Sequence, residues 1–255
     1  MTIPVIFIQK GSNNYFSKVY NQARNENTVL VIGDNTSPIK QALIKDYSNR
    51  ADEFSGIYQH LSTNGYDMEL ICFNRWFILQ EYMKNKGIDI CLHLDSDVML
   101  YAKAETEFKK FEQFDFTLSH RCCGSNSFFT LKGLSEFCDF VMKIYGNKPS
   151  YEFERIAAHY HVRQKHGLQG GVCDMTLLEF YSYTKCGTVG EMMHIIDGST
   201  YDHNINASDQ YFKMSGQNIK EISFFENRPY CHQITTGKEI RFNTLHYQGS
   251  AKRFI

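Results

Sequence analysis

Two aspartates separated by one serine stand at the end of an apolar run, Leu94-Asp95-Ser96-Asp97-Val98, and Met99-Leu100 extends the apolar chain beyond them. Carboxylates two positions apart at a strand end can converge on one hard divalent cation once the chain leaves the extended geometry. Oxygen ligands of this kind suit Mn²⁺ or Mg²⁺, which in turn bridge phosphate oxygens. Buried chain on both sides makes two bare charges costly unless a cation or hydrogen bonds satisfy them. An Asp-x-Asp pair also fits two solvated aspartates in a turn. Near the C-terminus, His246-Tyr-Gln-Gly249-Ser-Ala-Lys252 offers a second set. A neutral imidazole completes a mixed oxygen and nitrogen shell, a glycine lets the backbone approach a phosphate, and a lysine supplies a point charge. A lone histidine after a strand is otherwise structural. The third segment is Gly170-Gly171-Val-Cys-Asp174. Its glycine pair lets the chain pass close to a ligand, and Asp174 suits the N-cap of a helix opening at Met175.

These groups must be held by ordered elements. Apolar runs at 5–8, 28–32 and 88–94 read as strands, with helical stretches up to about Arg24, from near Pro38, and over 67–86, where Leu70, Phe73, Phe77 and Met83 share related faces and Gly87 closes the helix. Strands alternating with helices imply parallel pairing with helices on the faces of the sheet. Ligands of such sheets bind beyond the carboxyl ends of the strands. The tails of the three strands carry Gln9-Lys10, Asp34-Asn35 and Asp95-Ser96-Asp97, so all three polar sets face one crevice. The second half is less regular: short strands at 116–119, 128–131, 222–225 and 240–245, and helices at 134–145 and 175–183. No internal repeat is present.

The composition narrows the classes. A chain of 255 residues with 42% hydrophobic and 15% aromatic content buries a sizeable core, and four prolines without low-complexity sequence argue against linker-joined domains. A formal net charge of -1 lacks the basic excess of a nucleic-acid binder. Eight cysteines without a C-x-x-C pair indicate neither a zinc ribbon nor a thioredoxin motif, and read as buried thiols in a reducing compartment. The N-terminus has no signal-peptide pattern, and no stretch is long enough to cross a bilayer. His159, His161 and His166 lie in a polar stretch with Arg163 and Lys165 and read as a solvated face; Asp209-Gln210 reads as a loop turn.

Leu94-Asp95-Ser96-Asp97-Val98 resembles the DxD segment of GT-A glycosyltransferases, and His246-x-x-Gly249-x-x-Lys252 resembles the H-x-x-G-x-x-K element of the glycogenin and lipopolysaccharide galactosyltransferase type. Phe73-Asn74-Arg75-Trp76 is similar to the arginine-bearing helix those enzymes place beside the donor. The tail departs from that type after Lys252, where Arg253-Phe254 replaces Pro-Trp. The resemblance implies one α/β domain over 1–255, a mostly parallel Rossmann-like sheet flanked by helices. About 1–100 would bind a nucleotide-sugar, and about 101–255 would be the acceptor half with a metal- and diphosphate-binding tail. It implies Mn²⁺ or Mg²⁺ on Asp95, Asp97 and His246, with Arg75 and Lys252 near the diphosphate. The strand-tail groups Gln9, Lys10, Asp34, Asn35, Asp95 and Ser96, which face the same crevice, and Gly249, which lets the backbone approach a phosphate, complete the expected donor contacts. Asp174 resembles the acidic residue that follows a Gly-Gly turn in inverting members, displaced by one position, where it would be a general base or an acceptor-binding group. The partners implied are a nucleotide-sugar, UDP-linked, and a glycan, lipid-linked or protein acceptor, in a cytoplasmic protein able to sit peripherally on a membrane. Two other classes stay open: a nucleotidyltransferase or other metal-dependent phosphoryl-transfer enzyme, for which Gln9-Lys10-Gly11-Ser12 is a poor phosphate loop, and a non-catalytic nucleotide-sugar-binding module.

Overall fold

The computed structural model describes residues 2–185 and 187–255. In chain order its elements are β1 (Val5–Gln9), α1 (Phe16–Arg24), β2 (Val29–Gly33), β3 (Ala42–Leu43), α2 (Asn49–Ile57), α3 (Tyr66–Lys86), β4 (Ile90–Leu94), β5 (Val98–Leu100), α4 (Ala104–Phe108), β6 (Phe116–Leu118), β7 (Asn126–Thr130), α5 (Leu131–Gly146), α6 (Tyr151–Lys165), α7 (Asp174–Thr184), β8 (Val189–Glu191), β9 (Ser199–Tyr201), β10 (Ile222–Phe225), β11 (Arg228–Gln233) and β12 (Lys238–His246). Short 3₁₀ turns include Ile44–Tyr47 and Gly249–Phe254.

The main sheet runs β3-β2-β1-β4-β7-β6-β8. The β3-β2-β1-β4 ladder and the β6–β8 pair are parallel, while β7 runs antiparallel to both β4 and β6. A second, antiparallel sheet runs β10-β11-β12-β5, with β9 alongside β12. The fold is therefore α/β, with a mostly parallel sheet and a less regular second half, as the alternating pattern implies. Strand side chains alternate between the faces: Ile6 packs under α2, α3, α5 and α7, whereas Val5 and Phe7 meet α1 and α4 on the other side. Val98 and Leu100 of β5 and Tyr201 of β9 join that second cluster, so the smaller sheet shares a core with the larger. No helix among the described residues is long and apolar enough to cross a membrane.

Several boundaries differ from the sequence reading. No helix starts near Pro38. Ser37 Oγ donates to Gln9 O at 2.7 Å, and Gln41 exchanges hydrogen bonds with Val31, so the segment is drawn beside β2 and ends as β3. The run read as a strand over 128–131 ends at Thr130, whose hydroxyl accepts from Gly133 N at 3.0 Å and caps α5. Helix α6 was hidden by its polar content. Ser150 caps it, only Phe153, Ile156 and Ala157 are buried, and His159, His161 and His166 are exposed. The seven described cysteines are free thiols.

Gly171 is the tightest backbone approach near the site. Val172 N donates to Leu61 O at 2.7 Å, and a Cβ at Gly171 would lie 2.1 Å from that same carbonyl. Since the obstacle is backbone, Gly171→Ala is expected to destabilise the fold by about 1–3 kcal/mol. Gly216→Ala, where no atom lies within 4 Å of the new Cβ, should be near neutral. Denaturant midpoints of the two variants check this.

Candidate metal and donor site

The chain leaves β4 at Leu94, passes through Asp95-Ser96-Asp97 and re-enters the other sheet as β5 at Val98. The aspartates therefore sit where the two sheets meet. Asp95 N donates to Ser125 O and Val98 N to Asp95 O, which closes the turn, and Asp97 takes a left-handed φ of 51°. That conformation is costly for a non-glycine residue and is held here by its surroundings, including Tyr247 N donating to Asp97 O at 3.0 Å. Antiparallel pairing puts Val98 opposite His246, so sheet register alone delivers the histidine from the far end of the chain to Asp97. One ligand atom from each of Asp95, Asp97 and His246 lies within 4.8 Å of the others, the only such group among the described residues. That separation matches two bonds of about 2.1–2.4 Å to one ion, so two carboxylates and an imidazole could hold one divalent cation here.

Each charged group has a defined counterpart. Arg75 on α3 bridges two carboxylates, with Nη1 2.5 Å from Asp95 Oδ1 and Nη2 2.6 Å from Asp174 Oδ2. Burial alone would ease its proton off, but Asp95 and Asp174 reverse this and hold it above the usual guanidinium value. Burial raises the Asp95 carboxyl, and Arg75 overrides it, so the group lies below the ordinary carboxylate range. Burial lowers His93 against the opposing pull of Asp95, whose Oδ1 lies 3.4 Å from Nε2. Asp97 faces His246 Nε2 at 3.4 Å through Oδ1 and Lys252 Nζ at 3.1 Å through Oδ2. Burial lowers both His246 and Lys252, yet the Asp97 carboxylate outweighs it and raises each. His246 Nδ1 donates to His203 O at 2.5 Å, which fixes the ring with Nε2 towards Asp97.

Of the residues singled out in the sequence, Arg75 with Asp95 and Asp174 forms one ion-paired set and Asp97 with His246 and Lys252 another, and the two meet where Asp95, Asp97 and His246 converge. Gly249, at φ 60°, opens the 3₁₀ turn that carries Lys252, and Ser96 is half-buried between the two aspartates. Lys252 also lines a cavity of about 350 Å³ with Lys18, Arg253 and Tyr15. Asp34 and Asn35 line a different cavity of about 280 Å³ at the ends of β2 and β3. Asp34 accepts from Gly11 N, Thr36 N and Oγ1, and Ser37 N and Oγ. Gln9 is buried with its amide turned onto Gly11 O, and Lys10 is exposed. Asp174 is not a helix cap. Cys173 occupies that position, its N donating to Thr176 Oγ1 at 3.3 Å, while Asp174 Oδ2 accepts from Arg75 and from Trp76 Nε1 at 3.0 Å. The sequence did not point to Asp202, His203 or Lys220, which surround the His246 backbone from segments that carry no motif.

Two outcomes follow from these contacts. Asp174→Asn leaves Arg75 with one carboxylate and is expected to lower stability by about 1–3 kcal/mol. Trp76 is the only tryptophan, so its emission should shift as well, whereas a cap role would leave both unchanged because Asn caps as well as Asp. For Asp34, burial raises the carboxyl but the hydrogen bonds from Thr36, Ser37 and Gly11 bring it from 3.8 to about 2. A depressed folded value contributes stability above the unfolded value and loses it as pH falls through the folded one. Stability should therefore drop between about pH 4 and pH 2 by a component that Asp34→Asn lacks, read from melts across that range.

No protein-family model matches the chain, and no curated protein matches it. Solved structures similar to it include the apo form of mouse xyloside xylosyltransferase 1, at 8% identity and a TM-score of 0.49, covering 78% of this chain and 88% of that one. A glycosyltransferase involved in the glycosylation of the major capsid of PBCV-1 is similar at 11% identity and 0.44, over 98% and 95% of the two chains. The galactosyltransferase LgtC, in complex with donor and acceptor sugar analogues, is similar at 12% identity and 0.46, over 98% and 93%.

Proposed function

We propose that this chain is a metal-dependent glycosyltransferase that moves a sugar from a nucleoside-diphosphate donor, UDP-linked, to a glycan, lipid-linked or protein acceptor. The observation that carries the reading is the convergence of Asp95, Asp97 and His246 at the sheet junction with Lys252 beside them. A bound Mn²⁺ or Mg²⁺ would offset the charge that develops on a leaving nucleoside diphosphate. The protein's own groups act around that point. Asp95 and Asp97 would hold the ion with His246, and Lys252 would offer a point charge to diphosphate oxygens. The cavity walled by Lys18, Lys252 and Arg253 suits the rest of an anionic donor. Arg75 orients Asp95 and, through Asp174, ties it to α7. Asp174 is 3% exposed and ion-paired, so its contacts support an anchor for Arg75 rather than a base at the acceptor hydroxyl. In this proposal, about 1–100 is the donor half and about 101–255 the acceptor half of one domain.

One observation weighs against a phosphoryl-transfer enzyme built on a phosphate loop. After β1, Gly11 N already donates to Asp34 Oδ2 at 2.9 Å, so the amide that would cradle a phosphate is taken. A non-catalytic binding module would not require the whole charged set. The discriminating experiment combines Mn²⁺-dependent thermal shift across nucleotide-sugars with hydrolysis of the best donor. Asp97→Ala is expected to abolish metal-dependent donor binding while keeping the fold, read by isothermal titration and circular dichroism. Metal-dependent affinity unchanged in that variant would overturn the assignment.

A further inference from the structure

Behind His246 lies a buried ion pair that the chemistry above does not use. Lys220 Nζ is 2.7 Å from Asp202 Oδ1, with side-chain exposures of 1% and 0%. Burying two charges is unfavourable unless their remaining hydrogen-bonding positions are filled, and a buried pair is weak evidence for stability as such. Here most of those positions are filled by the segment that frames the histidine, and Asp209 Oδ2 lies 3.6 Å from the same ammonium. Asp202 Oδ2 accepts from His246 N at 2.9 Å, and Lys220 Nζ also donates to Asn204 O at 2.7 Å. Asp202 N donates to Thr244 Oγ1, and Asn126 Nδ2 donates to Asp202 O at 2.8 Å. Between the two anchored residues sits His203, whose carbonyl accepts from His246 Nδ1. Ser125 Oγ lies 3.3 Å from the same nitrogen. The lysine thus holds both ends of a three-residue bracket, and the middle residue sets the orientation of the imidazole.

We propose that Asp202 and Lys220 are a positioning pair for the ion, clamping 202–204 so that His246 presents Nε2 to the site shared with Asp95 and Asp97. The inference rests on the ion site proposed above and assigns it a support outside the motif-bearing segments. A carbonyl that donates nothing can receive only from Nδ1–H, so displacing the bracket frees the ring to turn or to change which nitrogen carries the proton. Outer partners of ligating histidines act on the metal through this orientation.

The test uses the full chain and Mn²⁺ alone, titrated calorimetrically, with circular dichroism to establish folding. Lys220→Met is expected to weaken Mn²⁺ binding by about 10–100-fold while remaining folded at the titration temperature. In a His246→Ala background the same substitution should produce no further loss. A merely structural pair would lower the melting temperature of both backgrounds without this dependence on His246. Unchanged Mn²⁺ affinity in folded Lys220→Met, or an equal loss with and without His246, overturns the proposal. If Lys220→Met does not fold, Lys220→Met with Asp202→Asn removes both buried charges at once. That pair is also expected to weaken Mn²⁺ binding at least tenfold, and affinity equal to the unsubstituted chain overturns the proposal. Absence of Mn²⁺ binding by the unsubstituted chain would instead strike at the ion site itself.

Discussion

Two carboxylates held close together at the junction of two sheets set the terms for the surrounding structure. Like charges about 5 Å apart repel by about 3 kcal/mol at an effective dielectric constant near 20, and partial burial removes the water that would screen them. The protein answers each aspartate separately. Asp95 faces Arg75 on the side of α3, and Asp97 faces His246 and Lys252 on the side of the C-terminal strand and turn. The two carboxylates therefore meet counter-charges that arrive from different elements, Arg75 from α3 and Lys252 from the C-terminal turn. The three candidate ligand atoms converge between them, which is the arrangement a divalent ion requires of its protein ligands.

The supporting groups form two buried polar chains that run away from this point. On one side Asp95 leads through Arg75 to Asp174 and Trp76, linking the strand end to α3 and α7. The guanidinium also lies 4.4 Å from the Trp76 ring centroid, so its apolar face is covered while Nη1 and Nη2 bind the two carboxylates. On the other side His246 leads through Asp202 and His203 to Lys220. Both chains end on charged groups that are almost wholly enclosed, Asp174 on one side and Lys220 on the other. Sites built this way are positioned by rigid elements, with a left-handed residue, Asp97, as the one strained link among the candidate ligands.

The same logic separates the two cavities at this end of the sheet. Asp34 spends its carboxylate on the turn that joins the ends of β1 and β2, holding Gly11, Thr36 and Ser37. Lys252 spends its charge on Asp97 and on the cavity it shares with Lys18 and Arg253. A residue whose oxygens are filled by backbone N–H groups serves first to shape the loop. A lysine that is partly exposed beside a carboxylate still has donors to offer an anionic ligand.

Much of this was legible in the chain itself. The apolar runs ending in Gln9, Asp34 and Asp95 specified parallel strands with polar tails, because burial on both faces demands continuous apolar sequence and the polar groups fall where the strand emerges. The pairing of an Asp-x-Asp turn with a distant His-x-x-Gly-x-x-Lys segment named the ligand candidates, since those residue types match hard cations and diphosphates. What the sequence could not carry was who meets whom. Register between β5 and β12 brings His246 to Asp97, and no local pattern encodes a pairing between segments so far apart. Asp174 reads locally as a helix cap, yet tertiary packing places Arg75 and Trp76 against it and leaves the cap to Cys173. Asp202 and Lys220 carry no motif because their role is to complete a buried hydrogen-bonding network, and such a network exists only once the chain has folded around it.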